Sequence, residues 1–320
     1  GEGRKEYERC KSADAENRAE SLEDIRFAKL GEQWPSEIKQ QRLAENRPVL
    51  TINKVLAFIR QVVNDARQNK PSIKVRPADS DGDPETAEVI SGLIRNIEYT
   101  SNADVAYDTA AECAVTGGIG YIRVGVDYAF DDAFDMDLKI ERVLNPFSVI
   151  GDPESTSADG SDWNVAFVLD RVSKADFKRK YKGKADVDFE GASWAEVSGD
   201  WLDDGGVMIA EWWTREEVDR ELVMLSDGRV FGADQLEKDE DLKLALEMGL
   251  ITVEKTRTTK THKVTQRIIS GLDVLEETEW PGRYIPIVPI YGDEFSVEGK
   301  RYYRSLINQA ELAWRLGLAL

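Results

Sequence analysis

The chain has 320 residues, 41% of them apolar and 9% aromatic, which is enough for one or two domains with a real core and too much for wholesale disorder. Its 42 Lys and Arg against 61 Asp and Glu leave a formal charge of −19, so the surface as a whole repels DNA, RNA and anionic lipid. Cys10, Cys113 and the single histidine, His262, supply neither a disulfide framework nor a thiolate or imidazole metal set, and no cofactor or metal is expected. The N-terminal stretch is too charged for a secretory signal, and no run approaches the ~20 apolar residues of a membrane span, so a soluble, non-secreted chain with no membrane partner is expected.

In chain order, residues 13–45 carry sparse apolar positions (Leu22, Ile25, Phe27, Leu30, Trp34, Ile38, Leu43) and predict surface helices broken at Pro35. Val55, Phe58, Ile59, Val62 and Ala66 recur at helical spacing and predict a helix with one buried face. Ile73–Pro77 reads as a short edge strand. Asp83, Pro84 and Glu85 form a helix start before the stripe Ile90, Leu93, Ile94 and Ile97. Ala103, Ala106, Ala110 and Ala114 give the next helix a small-residue face that allows close packing until Gly117 and Gly118 end it.

From Ile122 the period changes to two. Ile122–Tyr128 and Leu138–Leu144 predict a hairpin across an aspartate-rich loop, and Val165–Ser173 predicts a further strand. A short helix over 174–182 and a Gly-, Asp- and Ser-rich loop over 183–206 follow. Strands resume at Val207–Trp213 and again in a hairpin that turns at Asp227–Gly228. Residues 233–248 predict one helix with an acidic face, ended by Gly249. Three β-like stretches reach Gly292, and Lys300–Leu320 is helical in character.

Charge is unevenly placed. Lys39–Arg76 holds nine basic residues against Glu45 and Asp65, a local +7 that leaves −26 for the rest of the chain. Opposite-sign surfaces on one chain favour self-association, and an ordinary solvated helix face is the plainer reading. A second cluster, Lys255, Arg257, Lys260, Lys263 and Arg267, lies in a threonine-rich β-like segment without interleaved aromatics, so base stacking is not expected. The loop aspartates Asp127, Asp131, Asp132, Asp135 and Asp137 lack the order of a calcium loop. With one histidine and no GxSxG, the usual nucleophile arrangements are missing and no enzyme is expected. Trp194, Trp201, Trp212 and Trp213 among carboxylates leave an acidic carbohydrate-processing or carbohydrate-binding protein as the alternative.

Four segments, Glu45–Asp79, Ala110–Tyr128, Arg142–Thr156 and Tyr284–Ile307, together resemble the portal, or head-to-tail connector, proteins of short-tailed double-stranded DNA bacteriophages. The resemblance implies an α+β subunit with a wing of helices and antiparallel strands, a stem helix and a small α/β clip-like module. Here these map to 1–232 for the wing, 233–249 for the stem-proximal helix, 250–292 for the clip and 293–320 for the truncated start of the stem or tunnel region. It also implies a non-enzymatic ring of twelve subunits at one capsid vertex of the virion, assembled in the host cytoplasm. Its expected partners are the terminase large subunit, tail or adaptor proteins, and capsid and scaffolding proteins. Double-stranded DNA passes through without specific binding. On that basis Arg47, Lys54, Arg60 and Arg67 are expected at the subunit interface, and Lys255, Arg257, Lys260 and Lys263 at the terminase or adaptor contact. The final Asn308–Leu320 departs from the family's long tunnel helix, so a fragment of a longer subunit is expected.

Overall fold

The computed structural model describes residues 1–70, 72–77, 82–184 and 206–308. By internal contact the chain divides into two compact units, Gly1–Asp162 with Pro286–Leu320, and Trp163–Ile285.

The first unit begins with α1 (Glu2–Ala13) and α2 (Ala15–Ile25), followed by one π-helical turn, Arg26–Leu30, that ends at Gly31 with φ +71°. Past Pro35 comes α3 (Ser36–Ala44). A surface role holds for α3, which buries nothing, and fails for α2, which buries Asn17, Ser21 and Asp24. These polar residues meet the chain's return segment: Arg304 Nη1 donates to Asn17 Oδ1 (2.9 Å), and Ser305 Oγ donates to Asp24 Oδ2 (2.8 Å). Tyr303 Oη likewise donates to Asp14 Oδ2 (2.9 Å), whose carboxyl is pushed up chiefly by burial.

α4 (Val55–Gln68) is where the chain predicts it, but Ile59 and Val63 form its buried face, while Phe58, Val62 and Ala66 are exposed. The packed strip is therefore narrower than the apolar pattern suggests. Ile59 and Val63 join Phe27, Ala28 and Ile307 in one core cluster, with Val55 and Val115 against it. Ile73–Pro77 is irregular rather than a strand, and Val75 N–H donates to Ser91 Oγ of the next helix (3.2 Å).

α5 (Pro84–Thr100) starts as expected: the Asp83 carboxylate accepts from Glu85 N–H (3.0 Å) and Thr86 N–H (3.1 Å). Its predicted stripe is largely unburied, and Ala87 is the one buried residue of the helix. α6 (Ala103–Gly117) buries the small-residue face, Ala103, Ala106, Ala110 and Ala114. A Cβ on Gly120 would overlap the Ala110 carbonyl, so glycine is what lets helix and strand touch. The helix ends at Gly118, φ +85°, whose N–H bonds Ala114 O at 2.9 Å.

β1 (Ile119–Tyr128) and β2 (Met136–Arg142) form the expected hairpin, in register from Ile122↔Arg142 to Tyr128↔Met136. The two-residue strand β3 (Val149–Ile150) is buried, and Arg18 Nη1 donates to Val149 O at 3.0 Å.

In the second unit, β4 (Val165–Ser173), α7 (Lys174–Lys180) and β5 (Gly206–Leu225) follow one another among the described residues. β5 runs unbroken for 20 residues where two strands were predicted. It turns through Gly228, φ +84°, into β6 (Val230–Gly232). The helix predicted over 233–248 is two, α8 (Ala233–Lys238) and α9 (Glu240–Glu247). Asp239 breaks it by leaving helical geometry (ψ 104°) and accepting from Leu242 N–H at 3.0 Å as an N-cap. β7 (Val253–Ile269) pairs along nearly its whole length with β5, and β8 (Val274–Trp280) pairs with β7. The antiparallel order β4-β5-β7-β8 spans the borders expected at 232/233 and 249/250.

Back in the first unit, β9 (Ile287–Tyr291) pairs with β1, Ile119↔Tyr291 to Arg123↔Ile287, giving the sheet β2-β1-β9. β10 (Asp293–Val297) and β11 (Lys300–Arg304) form a hairpin across Glu298 and Gly299, at φ 52° and 78°. This corrects the helical reading of Lys300–Arg304: two successive positive φ values make a tight hairpin turn, which local composition did not reveal. The overall class is α+β, as expected.

Candidate interaction surfaces

The basic stretch Lys39–Arg76 is centred on α4, and α6 lies beside it. On α6, Asp104, Asp108 and Glu112 fall four apart and form one acidic edge. Lys70 Nζ meets Asp104 Oδ1 (2.7 Å), Arg67 Nε meets Asp108 Oδ2 (2.9 Å) and Lys29 Nζ meets Glu112 Oε1 (2.7 Å). These pairs are partly exposed and each contributes less than about 1 kcal/mol. Arg47 pairs with Glu45 next to it (3.2 Å), whereas Arg60 and Lys54 make no ion pair among the described residues.

Between α4 and α6 lies an open groove of about 490 Å³, with Leu56, Ile59 and Val63 at its base and Lys29, Arg60, Asn64, Arg67 and Glu112 around it. Of the four residues expected at a subunit interface, the structure places Arg60 and Arg67 in one site, Lys54 as the exposed residue before α4, and Arg47 in the loop ahead of it.

The second basic cluster has a different setting. β7 faces an acidic row on β5, with Lys260 opposite Asp219, His262 opposite Glu217 and Lys263 opposite Glu216. Lys260 Nζ reaches Asp219 (3.0 Å) and Glu217 (3.2 Å), and Lys263 Nζ reaches Glu279 on β8 (2.9 Å). Arg267 bonds Glu277 (3.1 Å) and lies over the Trp212 ring. Lys255 and Arg257, opposite Met224 and Leu222, make no ion pair among the described residues.

Trp213 is only 1% exposed and packs edge-on against Trp280, which removes it from any sugar-stacking role. Trp194 and Trp201 lie outside the described residues. Burial pushes the Cys10 thiol up to about 12, and Cys113 is raised for the same reason, so both thiols are poor nucleophiles at neutral pH. Among the described residues, no three His, Cys, Asp or Glu side chains converge as a metal site.

Sequence reasoning weighed the hairpin loop only for its aspartates and missed its aromatics. Phe130 and Phe134 are 74% and 97% exposed at the β1–β2 tip, flanked by exposed Tyr128 and Met136. Two phenylalanines among five aspartates in a turn with nothing to bury them was the available signal.

The chain is α+β, with unevenly placed charge and exposed apolar side chains at the β1–β2 tip. The Phage P22-like portal protein family model matches residues 4–311. The portal protein of Acyrthosiphon pisum secondary endosymbiont phage 1 is 28% identical over 333 aligned positions, which cover 98% of this chain and 45% of that protein. The chain belongs to the P22-like phage portal protein family, and it spans less than half the length of that relative.

Proposed function

We propose that this chain is the wing-bearing part of a portal subunit that closes into a ring at one capsid vertex, through which the genome is packaged and later released. The observation that carries the reading is the family match from residue 4 to residue 311. The charge distribution supports it: acidic walls keep a polyanion mobile, because each phosphate contact adds affinity and slows passage. The role is structural rather than enzymatic. Head-to-tail contacts use two different surfaces of the same subunit and close by rotation. In this reading Arg47, Lys54, Arg60 and Arg67 face the acidic side of the next subunit. The ring count of twelve, the partners (terminase large subunit, tail or adaptor, capsid and scaffolding proteins), and assembly in the host cytoplasm before incorporation in the virion belong to the same proposal. So does the layout of wing, stem-proximal helix (233–249) and clip (250–292).

For the terminase or adaptor contact we favour Lys255 and Arg257 among Lys255, Arg257, Lys260 and Lys263, a choice supported by the carboxylate partners that Lys260 and Lys263 already have. Lys255→Ala with Arg257→Ala is expected to weaken terminase or adaptor docking at least tenfold while rings persist; equal docking by variant and parent removes this contact from the proposal. Negative-stain imaging of the purified protein tests the ring itself.

A further inference from the structure

The β1–β2 tip is a built feature rather than a loose loop. Ala129 N–H donates to Asp135 O (2.9 Å) and Ala133 N–H to Phe130 O (3.0 Å), closing the turn that holds both phenylalanines outward. Asp127 is occupied by Lys139 at 2.7 Å, but Asp131, Asp132, Asp135 and Asp137 make no ion pair among the described residues. The tip is thus a pair of aromatic rings inside a fringe of unanswered negative charge. Phe134 is 97% exposed, so it does not fill the groove of its own chain.

The α4–α6 groove has the complementary chemistry. Leu56, Ile59 and Val63 give it an apolar lining beside Arg60, which makes no ion pair among the described residues, while Lys29 and Arg67 are already paired with Glu112 and Asp108. Its volume of about 490 Å³ is ample for one aromatic side chain entering from outside.

We propose that the aromatic, acidic tip of one copy seats in the basic-rimmed apolar groove of a second copy, with Phe134 as the anchor, Phe130 beside it, and Asp131 and Asp132 against Arg60. Buried aromatic anchors ringed by charge carry most of the energy in such contacts. Charge complementarity adds selectivity and speeds encounter. Tip and groove are different surfaces of one chain, so the contact is heterologous: every copy offers a tip to one neighbour and a groove to the other. The inference rests on the ring reading and specifies which surfaces would close it.

The test uses the whole 320-residue chain. Phe130→Ala with Phe134→Ala alters two exposed side chains and is expected to leave circular dichroism and thermal unfolding unchanged. The assembled fraction, read by native mass spectrometry, is expected to fall at least tenfold. Arg60→Glu is expected to do the same, and Asp132→Arg added to it to recover most of the parent's assembly. Phe134→Cys combined with Asn64→Cys is expected to give, on oxidation, a ladder of covalent dimers, trimers and higher multiples absent from the parent with its native cysteines. A heterologous contact extends in this way, whereas a two-fold contact through the same residues stops at dimers. If the parent assembles but the alanine variant assembles equally and no ladder forms, the docking proposal is overturned and the ring reading stands. If the parent stays monomeric at every concentration, the ring reading fails and the docking proposal falls with it.

Discussion

Two basic clusters, Lys39–Arg76 and Lys255–Arg267, both read as exposed positive charge in the sequence and are opposite in the structure. Along β7, positive side chains stand over an acidic row supplied by β5 and β8, so strand pairing answers most of the charge. Along α4, part of the charge is answered by the acidic edge of α6, but Arg60 is left over an apolar groove. The meaning of a charge run depends on whether the fold brings it an opposite charge. A run met by its own chain contributes to local structure, and one left unmet beside apolar surface is available to another molecule.

Several changes would break or sharpen that contrast. Ile59→Ala removes a buried side chain from the core beneath the groove and is expected to cost about 2–5 kcal/mol in urea unfolding, carrying the groove with it. Arg60→Glu is expected to lower the assembled fraction at least tenfold, equivalent to about 1.4 kcal/mol, with little change in folding stability. Lys260→Glu, in the answered cluster, is expected to leave assembly within about twofold; a loss equal to that of Arg60→Glu would erase the distinction.

Asp162 is a negative charge fully met by its own loop and serves as a control. Its Oδ2 accepts from Thr156 N–H (2.6 Å) and Ser157 N–H (3.0 Å), and Ser155 Oγ donates to Oδ1 (2.5 Å). Burial alone would raise this carboxyl, but together these hydrogen bonds outweigh it and hold it at about 2. A depressed carboxylate stabilises the fold above its unfolded pKa and loses that contribution as pH falls through the folded value. The stabilisation is therefore lost between about pH 4 and pH 2. Discounted for the solvent exposure of the group, it is about 1 kcal/mol, and Asp162→Asn is expected to remove that pH dependence in acid titration of stability without altering assembly. Smallest of all, Lys260→Ala is expected to leave the urea unfolding midpoint unchanged within scatter, since Lys260 and its partners are exposed and solvent screens them.

Features governed by short-range chemistry were legible in the sequence: the Asp83 cap, the alanine face of α6, the β1–β2 hairpin and the Asp227–Gly228 turn. Features that depend on distant segments were not. β1 completes its sheet with β9, and α2 buries Asn17 and Asp24 because Arg304 and Ser305, at the end of β11, donate hydrogen bonds to them. No periodicity rule finds a buried stripe of Asn17, Ser21 and Asp24, because such rules look for apolar residues. For the interaction surfaces, Arg60 and Arg67 were identified as cations, but the groove between them required α6 to pack on α4. The hairpin tip is visible in composition as aspartates, but that its phenylalanines stay uncovered depends on the fold bringing nothing against them.

The most direct test of the central claim is native mass spectrometry of the parent protein combined with negative-stain imaging of the same sample. A head-to-tail subunit with complementary surfaces predicts closed rings of one dominant stoichiometry with a central opening. A monomer at all concentrations, or a two-fold dimer that does not grow, would contradict it.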